Sequence, residues 1–340
     1  MRRRCRLAGF ALAGLLIFGG CGGDSDDGER SDITLANLNF LHGIFCPAQT
    51  ESCRLDDRVE LLADWIESAG CPDIVTLQEV WGQSLVLLES RVDTICPFAY
   101  ELVQGEQTIG LDDETVLSRY PVTATAQRPL VGGFRNVLLT RVAHPTGPVD
   151  VFSTHLASGV DGARGSCGPE CPSECVAADA TTLRECQAVQ MAEWIEASHV
   201  GPEPALIAGD FNAPPGSFEY RQFTGRGWSD AYLEAGNAEC NPASGIGCTS
   251  GREDQSLVDM ESPALGVSVR VDFIFIVAAA PGSSCAGIIE PAGDPDGDGA
   301  ATGLFADAPT AAVETCGPLP APICWPSDHI GVQVDLGCSW

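Results

Sequence analysis

Ala205-Leu-Ile-Ala-Gly-Asp-Phe-Asn212 decides how the rest of the chain is read. Ala205 to Ala208 form an apolar run as long as a buried strand. Gly209 ends the run, Asp210 and Asn212 follow, and Pro214-Pro215-Gly216 forces a loop. Side chains two positions apart on an extended chain point the same way, so Asp210 and Asn212 share one direction. In packed α/β sheets, functional groups collect at the carboxyl ends of strands, where the backbone leaves the core. Asp, Asn, Pro and Gly are also ordinary turn formers, so the stretch alone reads equally well as a turn. Its weight comes from similar strand ends elsewhere.

Ile33 to Asn39 alternates as a strand does and ends in Asn37 and Asn39. Asp73-Ile-Val-Thr-Leu-Gln-Glu-Val80 is a buried strand ending in Glu79. Thr115 to Ser118 and Val122 to Ala126 bracket Arg119-Tyr120-Pro121. Val137 to Val142 and Val149 to Ser153 read as a hairpin, the second strand running into His155. Val269 to Val277 is an apolar strand that carries Asp272. Asp328 and His329 stand just before a closing strand. Helical spacing covers Arg58 to Ser68, Ser84 to Val92 and, amphipathically, Leu183 to Ala197. A carboxylate inside an apolar strand is rarely buried without a partner or a metal. The natural partner of Asp272 is a histidine that it orients and keeps protonated. Singly, each of these residues has a plain structural reading. Together, at successive strand ends, they argue for one site.

The pattern resembles the endonuclease/exonuclease/phosphatase superfamily of metal-dependent phosphoesterases. The matching stretches are Ala36-Asn-Leu-Asn-Phe-Leu-His-Gly43, Asp73 to Val80, Val116-Leu-Ser-Arg-Tyr-Pro-Val122, Ser153-Thr-His-Leu156, Ala208-Gly-Asp-Phe-Asn212, Val271-Asp-Phe-Ile274 and Ser327-Asp-His-Ile-Gly-Val332. They occur in the superfamily's order, from about residue 31 to 338. The resemblance implies a four-layered α/β sandwich, with two packed mixed sheets flanked by helices. It implies Mg²⁺, or Mn²⁺ or Ca²⁺, since hard oxygen ligands suit these ions. Glu79 would be the principal ligand, with Asn39 assisting and Asp328 touching a second ion. Asn37 competes with Asn39, whose step to His42-Gly43 fits the superfamily pattern better. Asp210 would orient and deprotonate the attacking water, and Asn212 would bond the water or the phosphoryl group. His155 and His329 would donate to the phosphate as charge builds. Asp272 would hold His329 as imidazolium, with His329 as general base an alternative assignment. Arg119 is a candidate substrate contact, against a structural role.

The formal charge is −29, and all 18 basic residues are arginine. Without Arg2, Arg3, Arg4 and Arg6 the balance is 14 − 47 = −33. No basic stripe exists to grip a phosphate backbone. Bound cations can nonetheless carry an enzyme to phosphates. Sixteen cysteines point to an oxidising compartment. A zinc site at Cys167, Cys171, Cys175 and Cys186 is the competing reading, though no histidine lies near. Local pairings expected are Cys46–Cys53, Cys71–Cys96, Cys240–Cys248 and Cys324–Cys338.

Residues 1–20 read as an export signal, with a basic start and an apolar core from Leu7 to Phe18. Gly19-Gly20-Cys21 resembles a bacterial lipoprotein cleavage box, with Cys21 as the lipidated residue and ordinary cleavage as the alternative. Residues 21–31 form an acidic tether. One domain fills 32–340, with a Cys-rich insertion at about 161–180 and an acidic loop at about 285–325. Asp294, Asp296 and Asp298 begin a Ca²⁺-loop pattern, but Phe305 stands where the twelfth-position Glu belongs.

The expected protein is thus an exported or envelope-anchored monomeric phosphodiesterase. Its membrane partner would be reached through the lipid anchor, and its substrate is a phospholipid or a nucleic acid. A phospholipase C of the neutral sphingomyelinase kind leads, because a Cys-containing insertion follows Thr154-His155-Leu156 and precedes Arg184, Gln187 and a helix. Gln78-Glu-Val-Trp81 and Phe211 depart from the usual residues of those enzymes. A DNase I-like endonuclease is the alternative, and a catalytically vestigial binding module is the alternative from another class.

Overall fold

The computed structural model describes residues 31–41, 53–106, 114–145, 147–159, 165–167, 171–199, 203–252, 260–277, 288–289, 303–305 and 323–338. The expected leader, Cys21, most of the tether and the Asp294, Asp296, Asp298 series lie outside these residues. In chain order the strands are β1 (Ser31–Asn39), β2 (Ile74–Gln78), β3 (Glu101–Gln104), β4 (Thr115–Ser118), β5 (Val122–Pro129), β6 (Asn136–His144), β7 (Gly147–His155), β8 (Ala205–Asp210), β9 (Ser229–Asp230), β10 (Asp272–Val277), β11 (Ile288–Ile289), β12 (Gly303–Phe305) and β13 (Gly331–Cys338). The helices are α1 (Leu55–Ser68), α2 (Gln83–Glu89), α3 (Ser173–Ala177), α4 (Leu183–Ser198), α5 (Phe218–Thr224) and α6 (Ala231–Glu234).

Two sheets form. One runs β11-β13-β1-β2-β4-β3 with β12 also on β13, and the other runs β5-β6-β7-β8-β10-β9. Each contains one parallel pair, β1 with β2 and β7 with β8, flanked by antiparallel strands. A parallel pair needs a crossover, which α1 supplies in the first sheet and α3 with α4 in the second. Both parallel pairs therefore end at one edge of the sandwich. The antiparallel strands β13 and β10 begin at that same edge. This is why Asn39, Glu79, His155, Asp210, Asp272 and His329 lie at or just beyond the ends and starts of strands.

The layers follow from alternation. Ile33, Leu35, Ile74, Val332 and Val334 of the first sheet meet Leu138, Val151, Leu206, Ala208 and Ile274 of the second. The opposite face of the first sheet, including Leu38, Val75 and Leu77, packs on Val59, Leu62 and Ile66 of α1. The outer face of the second, including Phe152, Ile207 and Phe273, packs on Ala188, Met191 and Ile195 of α4. The result is the expected four-layered sandwich. Close approach demands glycine twice. A Cβ on Gly209 would lie 2.0 Å from the Thr154 carbonyl oxygen, and one on Gly331 would lie 2.2 Å from that of Asn37.

Several details differ from the sequence reading. The strand expected from Val269 starts at Asp272, because Val269 makes only an isolated bridge with Ser250. Helix α4 buries Gln187 and Gln190 together with its apolar residues, so it is not simply amphipathic. The acidic stretch contributes β11 and β12 to a sheet. The disulfides Cys71–Cys96 and Cys240–Cys248 form as expected. Cys167–Cys171 and Cys175–Cys186 are also disulfides, which removes the thiolates that zinc would need. Cys53 and Cys324 are disulfide-bonded, while Cys46 lies outside the described residues. No helix among the described residues is long and apolar enough to cross a membrane.

Candidate active site

Asp210 is the hub. It closes β8, pairs in register with His155 of β7 and Asp272 of β10, and is 1% exposed. Its Oδ1 accepts the Asn212 backbone N–H at 2.7 Å. Its Oδ2 accepts the side-chain amides of Asn39 at 3.1 Å and Asn212 at 3.3 Å. His155 Nε2 lies 3.3 Å from that oxygen and His329 Nε2 lies 3.9 Å from it. A carboxylate accepting this many donors is held in one orientation.

Asn39 joins the two sheets, since its amide also donates to Glu79 Oε1 at 3.1 Å. Asn37 lies one step deeper on the same face, where its oxygen accepts from Thr76 at 2.8 Å and Gln78 at 2.9 Å. The geometry thus brings Asn39 to the cluster and leaves Asn37 in its floor. Glu79 does not follow strand alternation. Gln78 faces inward toward Asn37 and Ser153, so an extended Glu79 would point at the helix layer. Glu79 instead adopts φ 57°, a left-handed conformation that costs a non-glycine residue roughly 1–2 kcal/mol. That turn returns its carboxylate to Asn39. Asn212 does the same at φ 49°, where asparagine is better tolerated.

Burial and the neighbouring Asp328 push the Glu79 carboxyl up to about 7, against pulls from Arg135, Asn39 and His329. At about 7 the carboxyl is only partly ionised at neutral pH, and a nearby cation favours its charged form. The Glu79 and Asp328 carboxylates therefore fit a hard divalent cation, while Asn39 turns its amide nitrogen to Glu79 and its oxygen accepts the Leu41 backbone N–H at 3.0 Å. A second group, Asp210, Asp272 and His329, also offers ligand atoms within 4.8 Å of one another. There the imidazole is already committed: His329 Nδ1 lies 2.9 Å from Asp272 Oδ2. Burial pulls His329 down, but Asp272, Asp328 and Asp210 outweigh it and hold the ring protonated well above its ordinary range. A protonated imidazole cannot ligate a metal. Thr249 fixes Asp272 by accepting its backbone N–H at 3.2 Å and that of Val271 at 3.0 Å.

His155 has a polar neighbour on each ring nitrogen. Arg135 Nη1 lies 2.6 Å from its Nδ1, and because a guanidinium only donates, this contact favours a proton on Nε2, which faces Asp210 at 3.3 Å. Its backbone N–H donates to Glu114 at 3.2 Å. The amide of Asn212 is 2.9 Å from the same Nε2 and donates to the Leu156 carbonyl at 3.0 Å. Arg135 and Glu114 were not legible in sequence. Each stands just before a strand, and the only available cue was a charged residue where burial would follow.

Arg119 is not brought to the cluster. It pairs with Asp73 at 3.3 Å and lies over the Phe98 ring at 4.5 Å. Asp73 precedes β2 and Glu79 follows it, so Arg119 stands at the far end of that strand. Arg184 and Gln187 of α4 support the site from behind. Gln187 accepts from Ala157 N–H at 2.8 Å and donates to the Val131 carbonyl at 2.8 Å. Arg184 joins Glu219 at 2.8 Å.

The model of the Endonuclease/Exonuclease/phosphatase family matches residues 35–329. The chain belongs to that family, whose members hydrolyse phosphate esters and usually use a divalent metal. A Drosophila melanogaster protein with a provisional neutral sphingomyelinase name is 28% identical over 168 residues, 45% of this chain. The chain spans 34% of that relative's length. An endonuclease/exonuclease/phosphatase family protein of Bacteroides thetaiotaomicron superposes with TM-score 0.58 at 16% identity, over 92% of this chain and 100% of that one. Truncated TDP2 of Caenorhabditis elegans gives TM-score 0.56 at 15% identity, over 90% and 98%. Both structures share the fold.

Proposed function

We propose that this protein is an exported, metal-dependent phosphodiesterase of the phospholipase C type, acting on a sphingomyelin-like lipid. The observation that carries the reading is convergence on Asp210. Asn39, His155, Asn212 and His329 aim donors at one carboxylate, with Glu79, Asp272 and Asp328 around it.

Glu79 would hold a divalent cation with Asp328 as a second contact, and Asn39 would join them by turning its amide oxygen, now bonded to the Leu41 N–H, toward the ion. When bound, that ion supplies charge neutralisation at the phosphoryl and leaving oxygens. Asp210, fixed by Asn39 and Asn212, orients a water for in-line attack and accepts its proton. The Nε2–H groups of His155 and His329 donate to the phosphoryl oxygens as negative charge grows. Asp272 keeps His329 charged for that task. Arg135 adds a cation behind His155.

The lipid reading draws support from the partial likeness to the sphingomyelinase relative. It also draws support from the charge, −29 with no lysine, which opposes tight binding of a nucleic acid. Disulfides among the described residues and the basic-apolar leader that precedes Cys21 support export and an envelope anchor.

The test is a panel run on the mature domain with Mg²⁺, Mn²⁺ or Ca²⁺: sphingomyelin, bis(p-nitrophenyl) phosphate, plasmid DNA and RNA, each with and without EDTA. EDTA-sensitive release of phosphocholine from sphingomyelin is expected. Cleavage of DNA instead would establish the nuclease reading. Inactivity on all four would leave a binding module. Activity surviving in Glu79→Ala or His329→Ala would overturn the site.

A further inference from the structure

Two buried arginines grip the loop that carries Asp328 and His329, and they do so from different sides. Arg58, on the first turn of α1, is 0% exposed. Its Nε donates to the Pro326 carbonyl at 2.9 Å. Its Nη2 donates to the Leu41 carbonyl at 2.6 Å and to that of Phe40. Its Nη1 reaches the Cys53 carbonyl at 3.5 Å, and the guanidinium lies 4.8 Å from the Phe40 ring centroid. These carbonyls belong to two loops. Phe40 and Leu41 leave the strand that ends in Asn39, and Pro326 stands two residues before Asp328. Ser327 adds a parallel tie, donating to the Asn39 carbonyl at 2.5 Å.

Arg252 holds the other side. Its Nη1 donates to the carbonyls of Ser327 at 3.1 Å and His329 at 3.0 Å, its Nε to that of Leu265 at 2.9 Å. Its guanidinium stacks on the Trp325 ring at 3.7 Å.

We propose that Arg58 is a positioning residue for the divalent cation. It fixes the separation of the loop carrying Asn39 from the loop carrying Asp328. A planar guanidinium suits this because it spans several carbonyls in a fixed fork, which a lysine cannot do. Arg252, on the histidine side, orients His329 and does not set ion affinity. The inference rests on the metal reading above.

The experiment titrates Mn²⁺ into the mature wild-type chain and the variants Arg58→Lys, Arg58→Met, Arg252→Lys and Arg252→Met. Free Mn²⁺ is followed by electron paramagnetic resonance, and folding by circular dichroism. Arg58→Lys keeps the charge and loses the fork; its Mn²⁺ Kd is expected to rise at least tenfold in a folded chain. Arg252→Lys is expected to keep Kd within threefold while lowering kcat. If Arg58→Met does not fold, Arg58→Lys carries the test. A folded Arg58→Lys with Kd within threefold of wild type overturns the proposal. So does an equal rise in the Arg252 variants, which would mean only general loosening of the loop. A wild-type chain that binds no Mn²⁺ overturns the metal reading itself, and this proposal with it.

Discussion

His329 Nδ1 lies 2.9 Å from Asp272 Oδ2, while its other nitrogen looks toward Asp210 at 3.9 Å. Asp272 is 0% exposed, so its charge is compensated chiefly by that ring. Asp272→Asn keeps the shape and removes the charge. A kcat loss on the order of 10²-fold or more is expected, since positioned proton donors contribute 10²–10⁴-fold. The linkage has a definite sign. His329 titrates higher folded than unfolded, so its stabilisation is complete below about 6.5 and fades as pH rises through the elevated folded value. Thermal melts across the alkaline range should show Tm falling in wild type and a flatter profile in Asp272→Asn.

Glu79 gives the opposite slope. Its folded carboxyl sits at about 7, above the unfolded value near 4.3, so the metal-free fold holds an extra proton between them. Metal-free stability should fall as pH rises from about 4 through 7, by up to about 4 kcal/mol. The cation and the proton compete for Glu79. Mn²⁺ affinity should rise with pH up to about 7 and then level off. Glu79→Gln should remove both slopes, and a pH-independent Mn²⁺ Kd in wild type would exclude this assignment.

Asn37 and Asn39 share a face and differ by one layer. Asn39→Ala should weaken Mn²⁺ binding and activity with a small change in Tm. Asn37→Ala removes the acceptor of two buried donors, Thr76 and Gln78, and should cost about 1–3 kcal/mol of stability. Calorimetric ion titration beside urea unfolding separates the two, and the reversed pattern would exchange their roles.

Gly209 allows β8 to lie against β7. A methyl group there would meet the Thr154 carbonyl at 2.0 Å, within the backbone of a fully buried parallel pair. Gly209→Ala should lose several kcal/mol, more than the usual 1–3 for overpacking, because backbone must move. It should also displace Asp210, the next residue. Denaturant unfolding would check it; a stable, active Gly209→Ala would show that the strands can part there.

Much of this site was legible because its residues end or begin apolar runs. Apolar runs marked Asn39, Glu79, His155, Asp210, Asp272 and His329 as polar groups at or within strands, and the superfamily resemblance implied that those strand ends meet at one edge. What stayed hidden was long-range. Arg135 lies 20 positions from His155, and Arg58 lies 268 positions from Pro326; no local period connects them. Buried arginine also runs against the ordinary expectation that charge stays outside. The left-handed turn at Glu79 was invisible for another reason: strand alternation alone would have sent that carboxylate to the wrong face.

The pairing of β1 with β13 has a kinetic consequence. The first and last described strands are neighbours, from Ser31 opposite Cys338 to Asn37 opposite Val332. A ribosome delivering this chain exposes one side of β1 until nearly the whole sequence has emerged. Contacts of such sequence separation form late, because the intervening loop entropy must be overcome first. The second sheet, with its hairpins β5-β6 and β6-β7, can assemble earlier. Half-made chains would therefore show an open hydrophobic edge and no functional centre. Refolding experiments should find activity returning in the slowest phase, together with protection of the β1 amides.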